Sequence, residues 1–514
     1  MNMTDSDRTY LGIDIGTSAV KVVLMNSQKE LIAQSCEKYD VSELKEGHIE
    51  IDPEIWFQST EECLHRIFKD QNAECVSVIG ITGQMHSLAI VDERLESIRP
   101  VIMWNDIRTK EMIGSLKRAF SGFSGGKQLS RTISTGSPAA ALCWIREYEP
   151  ECFSRIYKFL IGPDYLVMRF TGKCVTNYCE ASTSCLMDIG SHVWSEQVRK
   201  YIGLSESAYP ALYGSSEFVG RVRPDIARRF GFRSDARVIA GTGDNAATSV
   251  STGCLEGGYP VLSLGTSGVI VIPTDDIPED APGKRILVSV DGRKFICLVQ
   301  GVIQSNGRTV NWWAKDILGI SNLEELEKNI NCAKGRKENL LFYPHLGGDK
   351  TIYSDPNLRG AFINLGNDTT KTDMYYAVIE GLSFAVRELI EKMQISLERY
   401  GSIKVTGGGS NSDLWLQTLS DVLGIVVEKL NGGIGPAFGI ALLAMYADHH
   451  TGPFEKISDG YVRVNKEYKP DPENHAMLNR KYQKYLRIHK ALEYINDSDT
   501  VPSDVDGSDF SCRA

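Results

Sequence analysis

Tyr10-Leu11-Gly12-Ile13-Asp14-Ile15-Gly16-Thr17-Ser18 leads into the apolar run Val20 to Met25, and about half a chain later Tyr259-Pro260-Val261-Leu262-Ser263-Leu264-Gly265-Thr266-Ser267-Gly268 leads into Val269 to Ile272. Each is an apolar strand, a polar Gly-Thr-Ser turn and a second apolar strand, which reads as a β-hairpin. Two such hairpins, each heading about half of the chain, predict two related α/β lobes with a cleft between them. The segments between them fit that class. Strand candidates at Val76 to Thr82, Val101 to Trp104, Arg237 to Ala240 and Ile403 to Thr406 alternate with helix candidates at Glu147 to Phe159, Glu196 to Ile202, Met374 to Arg399, Asp413 to Leu423 and Glu473 to Tyr494. Such alternation favours α/β lobes over separate all-α or all-β domains. The expected division is an N-terminal lobe over 8–256, a C-terminal lobe over 257–494, and an acidic, Ser-rich tail over 495–514 with too few apolar residues to fold.

The totals set limits on this reading. A chain of 514 residues exceeds one ordinary core. A net charge of -10 argues against nucleic acid, whose binders carry a basic patch or stripe. The 12 cysteines form no C-x-x-C pair and no zinc-like cluster. Met1 to Arg8 is polar rather than signal-like, so reduced thiols in a cytoplasmic protein are expected. No apolar run reaches the roughly 18 residues of a membrane helix. Val76 to Val91 comes nearest and is interrupted by Gln84 and His86. A homodimer is an option the sequence leaves open.

Several motifs carry possible chemistry. The two Gly-Thr-Ser turns offer close backbone approach at glycine and hydroxyl donors, which suits phosphate. Lys21 adds a cation, and Asp14, ending its strand, can hold a hydrated Mg²⁺. Ordinary hairpin turns use the same residues. Thr406-Gly407-Gly408-Gly409-Ser410-Asn411 joins a strand to a helix and can lie flat against a nucleoside, although plain turns there are also glycine-rich. Gly432-Gly433-Ile434-Gly435-Pro436-Ala437-Phe438-Gly439 reads either way too. In Gly241-Thr242-Gly243-Asp244-Asn245-Ala246-Ala247 a carboxylate opens a small-residue helix, placed either to accept a hydroxyl proton during phosphoryl transfer or to act only as an N-cap. Gly83-Gln84-Met85-His86-Ser87 and Trp104-Asn105-Asp106 put polar side chains after strands, which suits sugar hydroxyls. Gly125-Gly126-Lys127 is followed by Gln128 and is no Walker A loop. Gly122 to Gly126 spells G-x-S-x-G but follows a helical segment, where a nucleophile elbow needs a strand.

In this order, from about Tyr10 to about Leu492, the motifs resemble the FGGY carbohydrate kinases. Gly83-Gln84-Met85-His86 and Trp104-Asn105-Asp106 are similar to the xylulose kinases among them rather than to the glycerol kinases. The resemblance implies two actin-like (ribonuclease H-like) lobes closing over ATP and a small-molecule sugar, and transfer of the γ-phosphoryl group to a ketopentose such as D-xylulose. It implies Asp244 as general base, Met85, His86, Asn105, Asp106 and Asn245 on the sugar, and Asp14 on Mg²⁺. Thr17, Ser18, Lys21, Thr266, Ser267, Trp313, Gly408, Gly409 and Asn411 are then expected to line the ATP side. Two stretches depart from the family pattern. Leu346-Gly347-Gly348-Asp349-Lys350-Thr351-Ile352 stands where many xylulose kinases read Leu-Ser-Gly-Glu-Arg-Thr-Pro, so a forked guanidinium becomes a point-charge ammonium. Ala141-Leu142-Cys143-Trp144 stands where Lys-Leu-Leu-Trp is usual. The alternatives are a kinase for another pentulose or polyol, a sugar- and nucleotide-binding regulator with weak catalysis, and an actin-like ATPase.

Overall fold

A computed structural model of the chain describes residues 7–275, 278, 281–320, 323, 327, 337–431, 435–449, 454, 457 and 460–496. The predicted tail from 497 onward, and Gly432, Gly433 and Ile434 of the glycine-rich run, lie outside the described residues. Both predicted hairpins form. β1 (Thr9–Ile15) pairs antiparallel with β2 (Ala19–Asn26), and the turn closes where the Gly16 N–H donates to the Ala19 carbonyl at 2.9 Å.

The first sheet adds β3 (Leu31–Lys38), β4 (Val76–Gly83), β5 (Phe218–Arg221), β6 (Arg237–Ile239) and β7 (Thr242–Gly243). Its order is β5-β6-β4-β1-β2-β3, with β7 also paired to β4. β1 and β4 are buried along their whole length, as near-continuous apolar strands covered on both faces should be. Along β3, half-buried and exposed residues alternate, which marks an edge with one wet face.

The second sheet contains β8 (Val261–Leu264), β9 (Gly268–Pro273), β10 (Lys284–Ser289), β11 (Phe295–Ile303), β12 (Ser402–Thr406), β13 (Val426–Leu430) and β14 (Val464–Tyr468), in the order β10-β11-β9-β8-β12-β13-β14. The two sheets share a pairing scheme. A hairpin (β1–β2, β8–β9) continues antiparallel into a third strand (β3, β11). On its other side the first hairpin strand runs parallel to β4 or β12, these to β6 or β13, and antiparallel β5 or β14 closes the edge.

Helix Pro53–Phe68, started by the Asp52 carboxylate accepting the Glu54 N–H, packs on β2 and β3. Helix Pro436–His449 comes from late in the chain but packs on β1 and β4 and against helix Asp244–Ser251. Glycines allow this contact. A Cβ on Gly12 would lie 1.9 Å from the Ala437 carbonyl oxygen, and one on Gly80 would lie 2.6 Å from that of Ile440. On the helix itself, a Cβ on Gly439 would lie 1.8 Å from the Ala247 carbonyl oxygen.

Three predicted helices differ in extent. Glu147 to Phe159 is instead the end of helix Pro138–Tyr148, helix Pro150–Ser154 and strand Lys158–Ile161. Pro150 lacks an N–H to continue the first helix, and Lys158–Ile161 pairs with Leu88–Val91. The long helix runs Lys371–Lys392 and starts at a capping box between Thr370 and Asp373. The last one splits into Pro472–Tyr485 and Ile488–Asn496.

Because the clash at Gly439 is with backbone, Gly439→Ala should force the helix off its neighbour and cost about 2–3 kcal/mol. Urea unfolding of the variant beside the parent chain checks this.

Candidate functional site

Three neighbouring strands end together. β1, β4 and β7 run parallel, and their register sets Asp14 beside Thr82 and Thr82 beside Thr242. The Thr82 hydroxyl donates to the Thr242 carbonyl at 2.6 Å, and the Gln84 N–H donates to the Ile15 carbonyl at 2.8 Å. Asp14, Met85-His86 and Asp244-Asn245 therefore emerge at one edge, the C-terminal ends of parallel strands, where open α/β sheets bind ligands.

Asp244 is the first residue of helix Asp244–Ser251, while Gly243 occupies the N-cap position. The cap reading of Asp244 is thereby set aside: its Oδ1 accepts the adjacent Asn245 N–H, at 2.7 Å. The Asn245 amide in turn donates to the Met85 sulfur at 3.5 Å. His86 has a left-handed backbone (φ 75°), a conformation that costs a non-glycine residue about 1 kcal/mol or more and that turns the chain at this edge.

The two carboxylates act on each other. Burial pushes the Asp14 carboxyl from an ordinary 3.8 up to about 7, the charge of Asp244 adds to this, and Lys21, its partner across the hairpin, opposes it. Burial pushes Asp244 up to about 6, against the Asn245 N–H and the Lys284 ammonium.

Thr17, Met85, His86, Asp244 and Asn245 line one cavity of about 860 Å³. Its far walls are the helical insertion of the first half, with Lys117 and Arg131, and two stretches of the second half, Ala281 to Arg285 and Asp349 to Ser354. The Trp104 indole N–H donates to the Thr17 hydroxyl at 3.0 Å and fixes that turn. Asp349 accepts the N–H groups of Tyr353 at 2.7 Å and Ser354 at 3.3 Å, a loop that carries the Lys350 ammonium to 5.6 Å from the Trp104 ring.

The expected nucleotide residues gather at the matching edge of the second sheet. Ser263 of β8 lies beside Thr406 of β12, so the Thr266-Ser267 turn and the turn of Gly408 and Gly409 are neighbours. The Ser267 hydroxyl donates to the Gln304 carbonyl at 3.0 Å. A Cβ on Gly408 would meet nothing within 4 Å, so the surface above it is open. Asn411 is exposed and accepts from Lys429 at 3.3 Å. None of Thr266, Ser267, Gly408, Gly409 and Asn411 lines the first cavity. Ser18 and Lys21 are exposed at the first turn.

Three expected site residues sit elsewhere. Asp106 is 0% exposed and turns inward, where its carboxylate accepts from the Ile49 N–H at 2.6 Å and pairs with Arg108, itself bridged to Glu50. It bolts the Trp104 loop to the core instead of facing a sugar. Asn105 does not line the cavity either. Trp313 is 5% exposed, with its ring 4.8 Å from that of Phe362 in the second core, and its neighbour Trp312 is the more exposed of the two. A Trp-Trp pair on a helix puts one ring in and one out, and sequence does not say which.

The residues missed by sequence reasoning are Trp104, Lys284, Lys350 and Glu180. Trp104 stands in a motif whose signal lies in its polar residues, and Lys350 in a stretch that departs from the family pattern. Lys284, beginning a strand, and Glu180, in helix Tyr178–Thr183, carry no local signal at all.

The comparisons with known proteins agree with this architecture. The profile of the FGGY family of carbohydrate kinases, N-terminal domain, matches residues 9–251, and that of the C-terminal domain matches 261–447. The chain is similar to the xylulose kinase of Klebsiella pneumoniae (32% identical, covering 94% of this chain and 99% of that protein) and of Escherichia coli strain K12 (30%, 94% and 99%). Among solved structures it resembles that of a xyloylose kinase from Brucella ovis, with TM-score 0.86, 27% identity, and 95% and 100% of the two chains covered. The xylulose kinase structure of Rhodospirillum rubrum, with TM-score 0.84 and 21% identity over 95% and 99% of the chains, shares the fold. Among the described residues no helix is long and apolar enough to cross a membrane.

Removing Asp106 leaves Arg108 buried with one ionic partner fewer, and breaking such a pair typically costs about 3–5 kcal/mol. Asp106→Ala should therefore lower the melting temperature, and by loosening the Trp104 loop it should also weaken ligand affinity per folded molecule, by less than it costs in stability. Thermal unfolding and titration of the folded fraction separate the two effects.

Proposed function

Because the chain belongs to the FGGY family of carbohydrate kinases, we propose that it transfers the γ-phosphoryl group of ATP to a hydroxyl of a ketopentose, the 5-hydroxyl of D-xylulose. One observation carries the reading: Asp14, Met85-His86 and Asp244-Asn245 share one edge of three adjacent parallel strands, and Met85, His86, Asp244 and Asn245 line one cavity there. The named relatives, all xylulose kinases, supply the sugar.

Asp244 is the base. Its carboxylate, raised to about 6, is ionised at neutral pH yet basic enough to take the hydroxyl proton as the bond to phosphorus forms. Asn245, Met85 and His86 orient the sugar. The N–H groups and hydroxyls of the turns at Thr17 and at Thr266-Ser267 suit the phosphates, and the open face above Gly408 suits the nucleoside.

The residues also fit Mg²⁺. Burial and the charge of Asp244 raise the proton affinity of Asp14, which a hard cation with oxygen ligands relieves. Among the described residues no group of three His, Cys, Asp or Glu could hold a metal, so Asp14 would share the ion with water and phosphate oxygens. Bound there, Mg²⁺ would neutralise charge on the phosphate oxygens.

A coupled ADP-release assay over ketopentoses, aldopentoses, ketohexoses and polyols tests the reading. D-xylulose should turn over, and Asp244→Asn should lose kcat by about a hundred-fold or more while still binding ATP. If another sugar wins, the substrate is wrong and the chemistry stands. If no sugar releases ADP from a protein that binds ATP, the regulator reading replaces this one.

The pH profile gives an independent check. Asp244 must be ionised to act, and its carboxyl sits near 6 rather than 3.8. The value of kcat/KM should therefore fall as pH drops through about 6, approaching ten-fold per unit below it. A flat profile down to pH 4.5 would mean that Asp244 is not the base.

A further inference from the structure

Lys284 opens β10 of the second sheet, yet its side chain ends against the first half of the chain, where its ammonium meets Nε2 of His86. Lysine only donates, so Nε2 accepts and the proton of the neutral ring sits on Nδ1. Burial and the charges of Lys284 and Lys350 hold His86 well below its usual range, so the ring stays neutral. Both residues line the cavity beside Met85, Asp244 and Asn245.

No ionic partner explains this lysine. Among the described residues no carboxylate lies within salt-bridge distance of Lys284. Glu180 lies behind Gly243, 0% exposed, without a side-chain hydrogen-bond partner, and burial pushes its carboxyl well above the usual range. Burial also pulls Lys284 down to about 8. A desolvated ammonium that, among the described residues, bonds a neutral imidazole and pairs with no carboxylate is a donor available to an oxygen that enters the cavity. Of the expected nucleotide residues Thr17 lines this cavity while Thr266, Ser267, Gly408 and Asn411 do not, and Lys284 contacts His86, which the kinase reading places on the sugar, so the oxygen it meets is taken as the sugar's.

An ammonium discriminates between oxygens. A carbonyl oxygen only accepts, and an NH₃⁺ group satisfies it. The carbinol of the matching polyol brings an extra O–H donor, which an ammonium cannot accept, and Nε2 of His86 is already taken by Lys284. We propose that Lys284 is a specificity-determining residue for the sugar: its ammonium keeps one N–H on Nε2 of His86, turns another to the carbonyl oxygen of the ketose, and so favours ketoses over the corresponding polyols. Since Lys284 is supplied by the second sheet and Asp244 by the first, the sugar site is complete only when the two halves stand together. The inference rests on the kinase reading of the same cleft.

The test uses the full chain with D-xylulose as substrate and xylitol as competitive inhibitor. Lys284→Met should lower kcat/KM for D-xylulose about ten-fold or more. The Ki of xylitol should shift less than about two-fold, and so should the KM for ATP. Lys284→Gln keeps a donor without the charge. It should restore part of the D-xylulose activity, and it carries the test if the methionine variant does not fold. Equal losses for D-xylulose and xylitol would overturn the proposal, as would an unchanged KM for D-xylulose. A loss confined to the KM for ATP would make Lys284 a phosphate ligand and overturn it as well. A parent chain inactive on every sugar is a different result, and it sinks the kinase reading itself.

Discussion

Helix Pro436–His449 can lie directly on the first sheet only because Gly12 and Gly80 have no side chains at the points of contact. Backbone meets backbone there, and close-packed interiors have no slack to absorb an extra methyl group. The same helix touches helix Asp244–Ser251 through Gly439, so one element from the second half of the chain bears on β1, on β4 and on the helix that begins with Asp244. The positions of Asp14, Met85 and Asp244 all follow from strands and a helix held by this one contact.

Around that frame the cleft is built against the charge of the chain. The protein carries a net charge of -10, yet six of the residues lining the cavity are Lys or Arg and two are Asp. One of those two, Asp349, is occupied with backbone N–H groups. The site therefore presents ammonium and guanidinium groups to its ligands while holding two carboxylates, Asp14 and Asp244, partly toward their neutral forms by burial. Groups preorganised in this way need little rearrangement when charge develops on a transferring group.

Trp104-Asn105-Asp106 shows how one short motif divides its labour. Trp104 faces the cleft and fixes the Thr17 hydroxyl at 3.0 Å. Two residues later, Asp106 is driven into the core by Arg108 and the Ile49 N–H. A loop that must present an indole accurately needs such an anchor. The motif is legible as a unit, but the direction of each side chain is a property of what packs behind the loop.

The sequence by itself determined the two Gly-Thr-Ser hairpins, the α/β class, the family resemblance and the candidacy of Asp14, Met85, His86, Asp244 and Asn245. Those signals are local: strand and turn chemistry act over a few residues, and they survive without knowledge of the partner. Tertiary structure alone decided that Thr82, Asp14 and Thr242 share a register, that Trp313 and Asp106 point inward, and that Lys284 from the second sheet reaches His86 in the first half. Lys284 and His86 are 198 positions apart, and nothing in the residues around either one encodes the other. Contacts of that kind are set by how whole sheets and helices pack, which no short stretch of sequence contains.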